Sequence, residues 1–225
     1  DRLVCPSSYL ASLAVEWGVP QERVSVLPNP APPLPALPAR EDAREQLAVD
    51  GPTLAFAGRI TRQKALEIGL EAMQQVPDAR LLVAGDGPDL DAVRSAAAEL
   101  GLGERVRFLG PQTREGVLAL FRAADASLLS STWENFPHSV VESLAVGTPV
   151  VATDAGGVPE VVTDGVNGLL VPAGDVVALA AAIERMLHEP GLRERLAAQA
   201  AASVAYLAAE VVYARLEELL AEAAR

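Results

Sequence analysis

Leu81-Leu82-Val83-Ala84-Gly85-Asp86-Gly87-Pro88-Asp89-Leu90 is the stretch that decides the fold. Four apolar residues without polar alternation suit a strand covered by helices on both faces. The Gly-Asp-Gly-Pro that follows breaks the run, and apolar residues then recur at helical spacing. The same alternation extends in both directions. Strands are predicted at 53–57, 80–84, 106–109, 126–130 and 149–152, the last as apolar as the first (Pro149-Val150-Val151-Ala152). Helices are predicted between them at about 64–75, 89–100, 113–122 and 138–146. Strands alternating with helices specify an α/β fold with a mostly parallel sheet and helices on both faces.

Toward the N-terminus, Leu3-Val4-Cys5 and Val24-Ser25-Val26-Leu27 read as short strands around a helix over Ser8 to Trp17, which carries Leu10, Leu13, Ala14 and Trp17 at helical spacing. Pro28-Asn29-Pro30, followed by Pro32, Pro33, Pro35 and Pro38, is too proline-rich for a helix or a central strand, so a linker is expected there. Helical signal resumes from Arg40 to Leu47. Past the main pattern come short pieces at 160–163 and 168–171, then a helix opened by Gly174-Asp175 with Leu179, Ile183, Met186 and Leu187 on one face. Pro190-Gly191 breaks it. The expected plan is a β-α-β unit at 1–28, a linker at 29–40, the main α/β domain at 41–190 and an alanine-rich helical segment at 191–225. In that last segment Val204, Leu207, Val211, Val212, Tyr213, Leu216, Leu219 and Leu220 are the candidate packing positions.

The 225 residues are 50% hydrophobic and 21% charged, enough to bury a substantial core and too apolar for disorder. Eighteen Lys+Arg against thirty Asp+Glu leave a net charge of −12, which argues against general attraction to nucleic acid or anionic lipid. No apolar run reaches the roughly 18 residues of a membrane span, so a soluble protein is expected. The single cysteine, Cys5, has no second thiol to pair with, which fits a reducing compartment and a cytoplasmic location. Asp1 opens without the basic region and apolar stretch of a signal peptide, and the opening reads as a chosen boundary.

Glycines and charges gather where the predicted strands end, the place where open α/β sheets bind ligands. Ala57-Gly58-Arg59 with Lys64 is the first such group. Glycine lets backbone approach a bound group, Arg59 can fork onto phosphate oxygens, and Lys64 adds a mobile point charge. The ordinary alternative is a tight turn with a solvated arginine and lysine. Gly85-Asp86-Gly87-Pro88 lacks the third glycine of a dinucleotide fingerprint and the Gly-Lys-Ser/Thr of a Walker loop, so its glycines are read as shaping a cleft floor. Asp89 and Asp91 fall in a first helical turn, where acids oppose the helix dipole, and are not read as a metal pair.

Ser130-Ser131-Thr132-Trp133-Glu134-Asn135-Phe136-Pro137-His138-Ser139-Val140-Val141-Glu142 is the most informative group. A buried strand ends, a polar loop presents Glu134, and Pro137 suits the first turn of a helix that carries Glu142. Free N–H groups near 137–139 would face an anion. With Arg59 and Lys64 opposite, they can hold a diphosphate, and the two carboxylates can accept from flanking hydroxyls, as a sugar nucleotide would require. Glu142 sits among Val140, Val141, Leu144, Ala145 and Val146 and so needs a partner. His138 is read either as a substrate contact or as a solvated ring. Gly156-Gly157 can press N–H groups on a ligand and Glu160 can bind a sugar hydroxyl; ordinary turn chemistry explains them equally. His138 and His188 without a cysteine cluster make no zinc site, and no metal is expected.

Together, Gly58-Arg59 with Lys64, Gly85-Asp86-Gly87-Pro88, Glu134 through Glu142, Gly147-Thr148-Pro149-Val150, Gly156 through Glu160 and Asn167-Gly168-Leu169-Leu170-Val171 resemble the C-terminal half of a retaining, family-four (group 1) glycosyltransferase of the GT-B type. The resemblance covers about 1–190. It implies a Rossmann-like donor domain, with 1–28 the remnant of an N-terminal, acceptor-side domain and Leu27-Pro28-Asn29 preceding the linker. Arg59 and Lys64 would bind the donor diphosphate, Glu142 the ribose hydroxyls, and Glu134 the donor sugar beside the backbone of Asn135, Phe136, Pro137 and His138. Gly58, Gly85 and Leu109, with Gly110, would complete the donor contacts. Glu134, Arg59 and Lys64 would carry the chemistry.

The resemblance implies no cofactor and a donor of UDP, GDP or ADP type, from which a hexosyl group passes to an acceptor. Its expected partners are the missing N-terminal domain and the sugar nucleotide, with any membrane association arising through that domain; the fragment alone would be inactive in transfer. Three departures stand out: Ala65 follows Lys64 where the family has glycine, Pro30 follows Asn29, and Asn135-Phe136-Pro137 replaces Gly-Phe-Gly. The alternatives are a non-catalytic sugar-nucleotide or partner-binding module and half of a sugar-nucleotide epimerase. A nicotinamide oxidoreductase would need a tighter Gly-x-Gly-x-x-Gly after Ala57.

Overall fold

The structure, a computed structural model, describes residues 2–224. It opens with a parallel pair, β1 (Leu3–Cys5) and β2 (Val24–Val26), connected through α1 (Ser8–Glu16). Ser7 caps α1, its Oγ accepting from the Leu10 N–H at 3.1 Å; such caps satisfy one of the donors left free at a helix start. The proline stretch forms neither helix nor strand, and Ala31 alone bridges to Ala208. After α2 (Arg40–Gln46) the regular alternation begins.

Six strands follow: β3 (Thr53–Ala57), β4 (Arg80–Ala84), β5 (Val106–Gly110), β6 (Ala126–Leu129), β7 (Val150–Asp154) and β8 (Gly168–Pro172). They form one sheet in the order β5-β4-β3-β6-β7-β8 with every pairing parallel. The crossovers are α3 (Leu66–Gln74), α4 (Leu90–Glu99), α5 (Arg114–Ala123) and α6 (His138–Ala145), and α7 (Val176–His188) follows β8. The fold is the expected Rossmann-like α/β sheet.

Side chains of β3 show why it needs cover on both sides. Leu54 and Phe56 enter the core beneath α3 and α7 with Leu70, Met73, Leu81 and Ile183. Ala55 and Ala57 point the other way, against Leu118 and Phe121 of α5, as the two-residue period of a strand dictates. Fully burying a Leu or Phe side chain contributes roughly 2 kcal/mol, so both faces hold the sheet. In this order the chain starts in the middle, winds outward to β5, then returns to the other side of β3. The reversal between β3 and β6 leaves a crevice at their carboxyl ends.

Beyond the sheet the structure gives the remaining segments their form. Residues 160–163 contain no strand; Val158–Glu160 is a single 3-10 turn with Pro159 near its start. The segment after Pro190, read as a helix or two, forms two helices. In α8 (Leu192–Ser203), Leu192 and Leu196 join the main core. After a 3-10 turn at Ala205–Leu207, α9 (Ala209–Ala223) returns to the N-terminal unit, where Arg2 pairs with Glu222 at 2.7 Å. Val212 and Leu219, seven residues apart, are the buried residues of α9, whereas Val211, Tyr213 and Leu220 are exposed. Ahead of α9 the candidate packing positions Val204 and Leu207 are buried as well. Among the described residues no helix is long and apolar enough to cross a membrane.

Candidate functional site

A cleft of about 570 Å³ lies at the carboxyl ends of β3 and β6, lined by Gly58, Arg59, Lys64, Glu134, Asn135, Phe136, His138 and Glu142 from the residues singled out in the sequence. It is the crevice the strand order creates. The loops after the two strands are tied together by Thr132 N–H, which donates to Gln63 O at 2.9 Å, by Ser130 Oγ to Lys64 O at 3.0 Å, and by Gln63 Nε2 to Trp133 O at 2.6 Å.

These ties bring Lys64 onto Glu134. Lys64 Nζ donates to Glu134 Oε1 at 2.5 Å, and Ser131 Oγ donates to the same oxygen at 2.6 Å. Glu134 is only 4% exposed, and a carboxylate so placed requires such partners. Lys64 is also the one lysine of the chain; every other fixed cation is arginine. An ammonium offers three donors, so Lys64 can hold Glu134 and still address an anion. Arg59 is exposed and has no hydrogen-bond or ion-pair partner among the described residues.

Opposite them, α6 begins with Pro137 as its N-cap rather than in its first turn. The Ser139 N–H, at the cleft wall, has no backbone or side-chain acceptor among the described residues, so it joins the helix dipole as a ready anion donor. His138 is exposed but not without a partner. Asn29 Nδ2 lies 3.0 Å from its Nε2, a contact in which the amide donates, and Phe136 meets the ring edge-on at 5.4 Å.

Glu142 has the partner its apolar surroundings called for. Arg114 Nε donates to Glu142 Oε1 at 3.0 Å, while its Nη1 and Nη2 donate to the carbonyls of Pro33 and Pro32, each at 3.1 Å. One guanidinium therefore joins the α6 carboxylate to the proline linker. Arg114→Ala is expected to cost about 1–2 kcal/mol of stability, because a half-buried carboxylate and two carbonyls lose their donor; an unchanged melting temperature would show that the linker is held by other means. The sequence held one hint of this role. Thr113 caps α5, so Arg114 stands at the positive end of the helix, where a cation is disfavoured unless it has other work.

Three expected donor residues do not line the cleft: Gly85, Leu109 and Pro137. Gly85 acts through shape, since a Cβ on it would stand 1.9 Å from the Gly58 carbonyl oxygen. Leu109 packs against the core cluster that includes Leu118 and Phe121, and its carbonyl already accepts from Gln112 Nε2 at 2.9 Å. Gly156 and Gly157 do not line the cleft either; Gly157 N–H donates to Glu134 O at 2.9 Å, and both glycines lie against the Glu134–Asn135 backbone. Glu160 faces away from the cleft chemistry, its carboxylate accepting from the Ser8 and Tyr9 N–H groups at 2.7 and 2.8 Å at the start of α1. Ala65, where the resembled family has glycine, adopts the left-handed φ of 44°, the conformation that explains a glycine preference. The cleft also contains Pro6, Asn29, Gln63, Val117, Trp133 and Ser139.

A model of the family described as Glycosyl transferases group 1 matches residues 39–203. The D-inositol 3-phosphate glycosyltransferase of Mycobacterium sp. (strain KMS) is 43% identical over 172 residues, covering 73% of this chain and 39% of that protein. Its counterpart from Mycobacterium tuberculosis (strain ATCC 25177 / H37Ra) is 42% identical over 163 residues, or 69% of this chain and 34% of that protein. The chain thus spans less than two fifths of the length of these curated relatives. Among solved structures, sucrose-phosphate synthase from Thermosynechococcus elongatus superposes with a TM-score of 0.91 at 29% identity, covering 99% of this chain and 58% of that one. Anabaena Alr3699/HepE in complex with UDP and glucose superposes with a TM-score of 0.89 at 26% identity, covering 98% and 63%. With a family match across the whole sheet and the cleft at its switch point, the chain belongs to the group 1 glycosyltransferases.

Proposed function

We propose that the chain is the donor-binding half of a retaining glycosyltransferase, which passes a hexosyl group from a nucleoside diphosphate sugar to an acceptor. The observation that carries this reading is the convergence of Arg59, Lys64 and the start of α6 on one cleft bordered by Glu134 and Glu142. Two cations and a helix N-terminus suit a diphosphate, and the flanking carboxylates suit the hydroxyls on either side of it. In transfer, Arg59 and Lys64 stabilise the charge that grows on the departing diphosphate. Glu142 holds the ribose, and Glu134 lies by the sugar undergoing same-face attack. The structural neighbour seen with UDP and glucose makes UDP the first donor base to test, ahead of GDP and ADP.

The domain plan we adopt assigns 1–28 to an acceptor-side domain, 29–40 to the linker, 41–190 to the donor domain and 191–225 to a bracing segment. The rest of the acceptor site belongs to the remainder of a longer enzyme, and this chain alone is expected to bind donor without transferring sugar. We place the enzyme in the cytoplasm, a reading supported by its one unpaired, buried cysteine.

Titration calorimetry with UDP, GDP and ADP tests the reading. Arg59→Ala should weaken the diphosphate that binds by about tenfold, the loss of one solvent-facing charge-assisted contact, and leave the free nucleoside unchanged. Equal losses for both would put Arg59 away from the phosphates, and no binding by the unaltered chain would end the claim.

A further inference from the structure

The edge of the sheet opposite the cleft carries a second concentration of charge. Asp125, just ahead of β6, is tied to the amino end of β3, its Oδ2 accepting from the Thr53 N–H at 2.8 Å. Two guanidiniums from different helices meet on its Oδ1: Arg40 Nη2 of α2 donates at 2.7 Å and Arg193 Nη1 of α8 at 2.6 Å. Arg44 Nη1 stands 3.6 Å from Oδ2. Arg122, in the last turn of α5, donates to the Val146 carbonyl at 3.0 Å and has no ion-pair partner among the described residues. Arg40, Arg122 and Arg193, with Asp125 and Glu194, line a cavity of about 350 Å³.

Asp125 does not neutralise this group. Both of its oxygens are engaged, and Glu194, the other carboxylate, is exposed and already paired with Arg193. Four guanidiniums face two carboxylates, an excess of two positive charges in a chain whose net charge is −12. Arg40 opens α2 and Arg193 stands in the first turn of α8, positions where the helix dipole disfavours a cation. Nε and Nη1 of Arg40, and Nε and Nη2 of Arg122, donate to no described residue, and a guanidinium offers such groups in a planar fork that matches phosphate oxygens. We propose that this cavity is a second anion site, in which Arg40, Arg122 and Arg193 hold a doubly charged phosphate group, either inorganic phosphate or the phosphate of a small monoester. Two negative charges offset the local excess. The Arg40 and Arg193 side chains are 33% and 29% exposed, so a solute reaches them. A bound phosphate joins α2, which follows the linker, to α8, which leads into α9 on the N-terminal unit. The site stands apart from the nucleotide-sugar reading, because the donor cleft lies at the carboxyl ends of the strands.

The test titrates inorganic phosphate and, separately, glycerol 3-phosphate into the unaltered chain, Arg122→Gln, Arg122→Lys and Arg59→Ala at constant ionic strength, with melting curves of each. Arg122→Gln keeps an amide donor for the Val146 carbonyl and breaks no ion pair, so the fold should tolerate it. It should weaken phosphate about tenfold, the effect of one charge-assisted contact. Arg122→Lys, with the charge kept and the fork lost, should weaken it about threefold. Arg59→Ala, at the opposite edge of the sheet, should retain the binding. Phosphate should raise the melting temperature of the unaltered chain, and sodium chloride of the same ionic strength should not. Tighter binding of inorganic phosphate identifies the free ion as the ligand, and tighter binding of glycerol 3-phosphate identifies a phosphorylated small molecule. No binding of either, equal affinities in the unaltered chain and Arg122→Gln, a loss confined to Arg59→Ala, or a melting rise that sodium chloride reproduces would overturn the site. All four leave the nucleotide-sugar reading to its own titration with UDP, GDP and ADP.

Discussion

Lys64→Met is expected to remove nucleoside diphosphate binding by about a hundredfold and to lower stability by about 3 kcal/mol. Both effects come from one ammonium. Among the described residues Lys64 Nζ is the only cation on Glu134, and Glu134 is nearly inaccessible to water. Taking away one partner of a buried pair strands the other, a larger penalty than the pair's own worth. Ser131 Oγ would remain on the carboxylate but cannot balance its charge. For a chain of this size the stability loss corresponds to a melting shift of roughly 6–12 °C. Adding Glu134→Gln to Lys64→Met separates the two effects: the neutral amide should restore most of the stability and none of the affinity. Should the double variant melt as low as the single one, the ion pair is not what holds this loop. Because Lys64 is the sole lysine, an amine-directed reagent followed by mass spectrometry provides a second readout, with bound diphosphate expected to protect it.

Gly156→Ala should be among the most damaging small substitutions in the chain, at about 4 kcal/mol, the range reached when a core clash and backbone strain coincide. Gly156 has a φ of +58°, and a Cβ on it would lie 2.1 Å from the Glu134 carbonyl oxygen. That oxygen cannot retreat, because Gly157 N–H holds it at 2.9 Å. Relief requires the Glu134–Asn135 loop to move, so nucleotide affinity should fall with stability. Gly174→Ala is the control: its φ of +82° is equally left-handed, but nothing lies within 4 Å of the Cβ. Strain alone should cost it about 1–2 kcal/mol. Similar melting temperatures for the two variants would show that conformation, not the approach of the two backbones, explains Gly156.

The charged part of the candidate site was legible in the sequence because it is tied to strand ends. Arg59 and Lys64 follow one apolar run, Glu134 another, and open parallel sheets present such loops on one edge. The partners of those residues were not legible. Arg114 reaches Pro32 and Pro33 more than eighty positions away, and Asn29 meets His138 across 109 positions. Gly156-Gly157 and Glu160 look like ligand contacts by composition. Their roles changed once Glu134 and the start of α1 were brought beside them, because a glycine serves close backbone approach as readily as it serves a ligand.

Periodicity and strand-end chemistry by themselves determined the alternation of strands and helices, the parallel sheet, and the membership of Arg59, Lys64, Glu134 and Glu142 in one class of site. Both are local properties, carried by residues a few positions apart. Tertiary structure alone decided that β3 neighbours β6, that Lys64 spends one donor on Glu134, that Arg114 binds Glu142 to the linker, and that Arg40 and Arg193 meet on Asp125. Each of these depends on which loops the strand order sets side by side, and a hydrogen bond exists only where donor and acceptor come within about 3 Å.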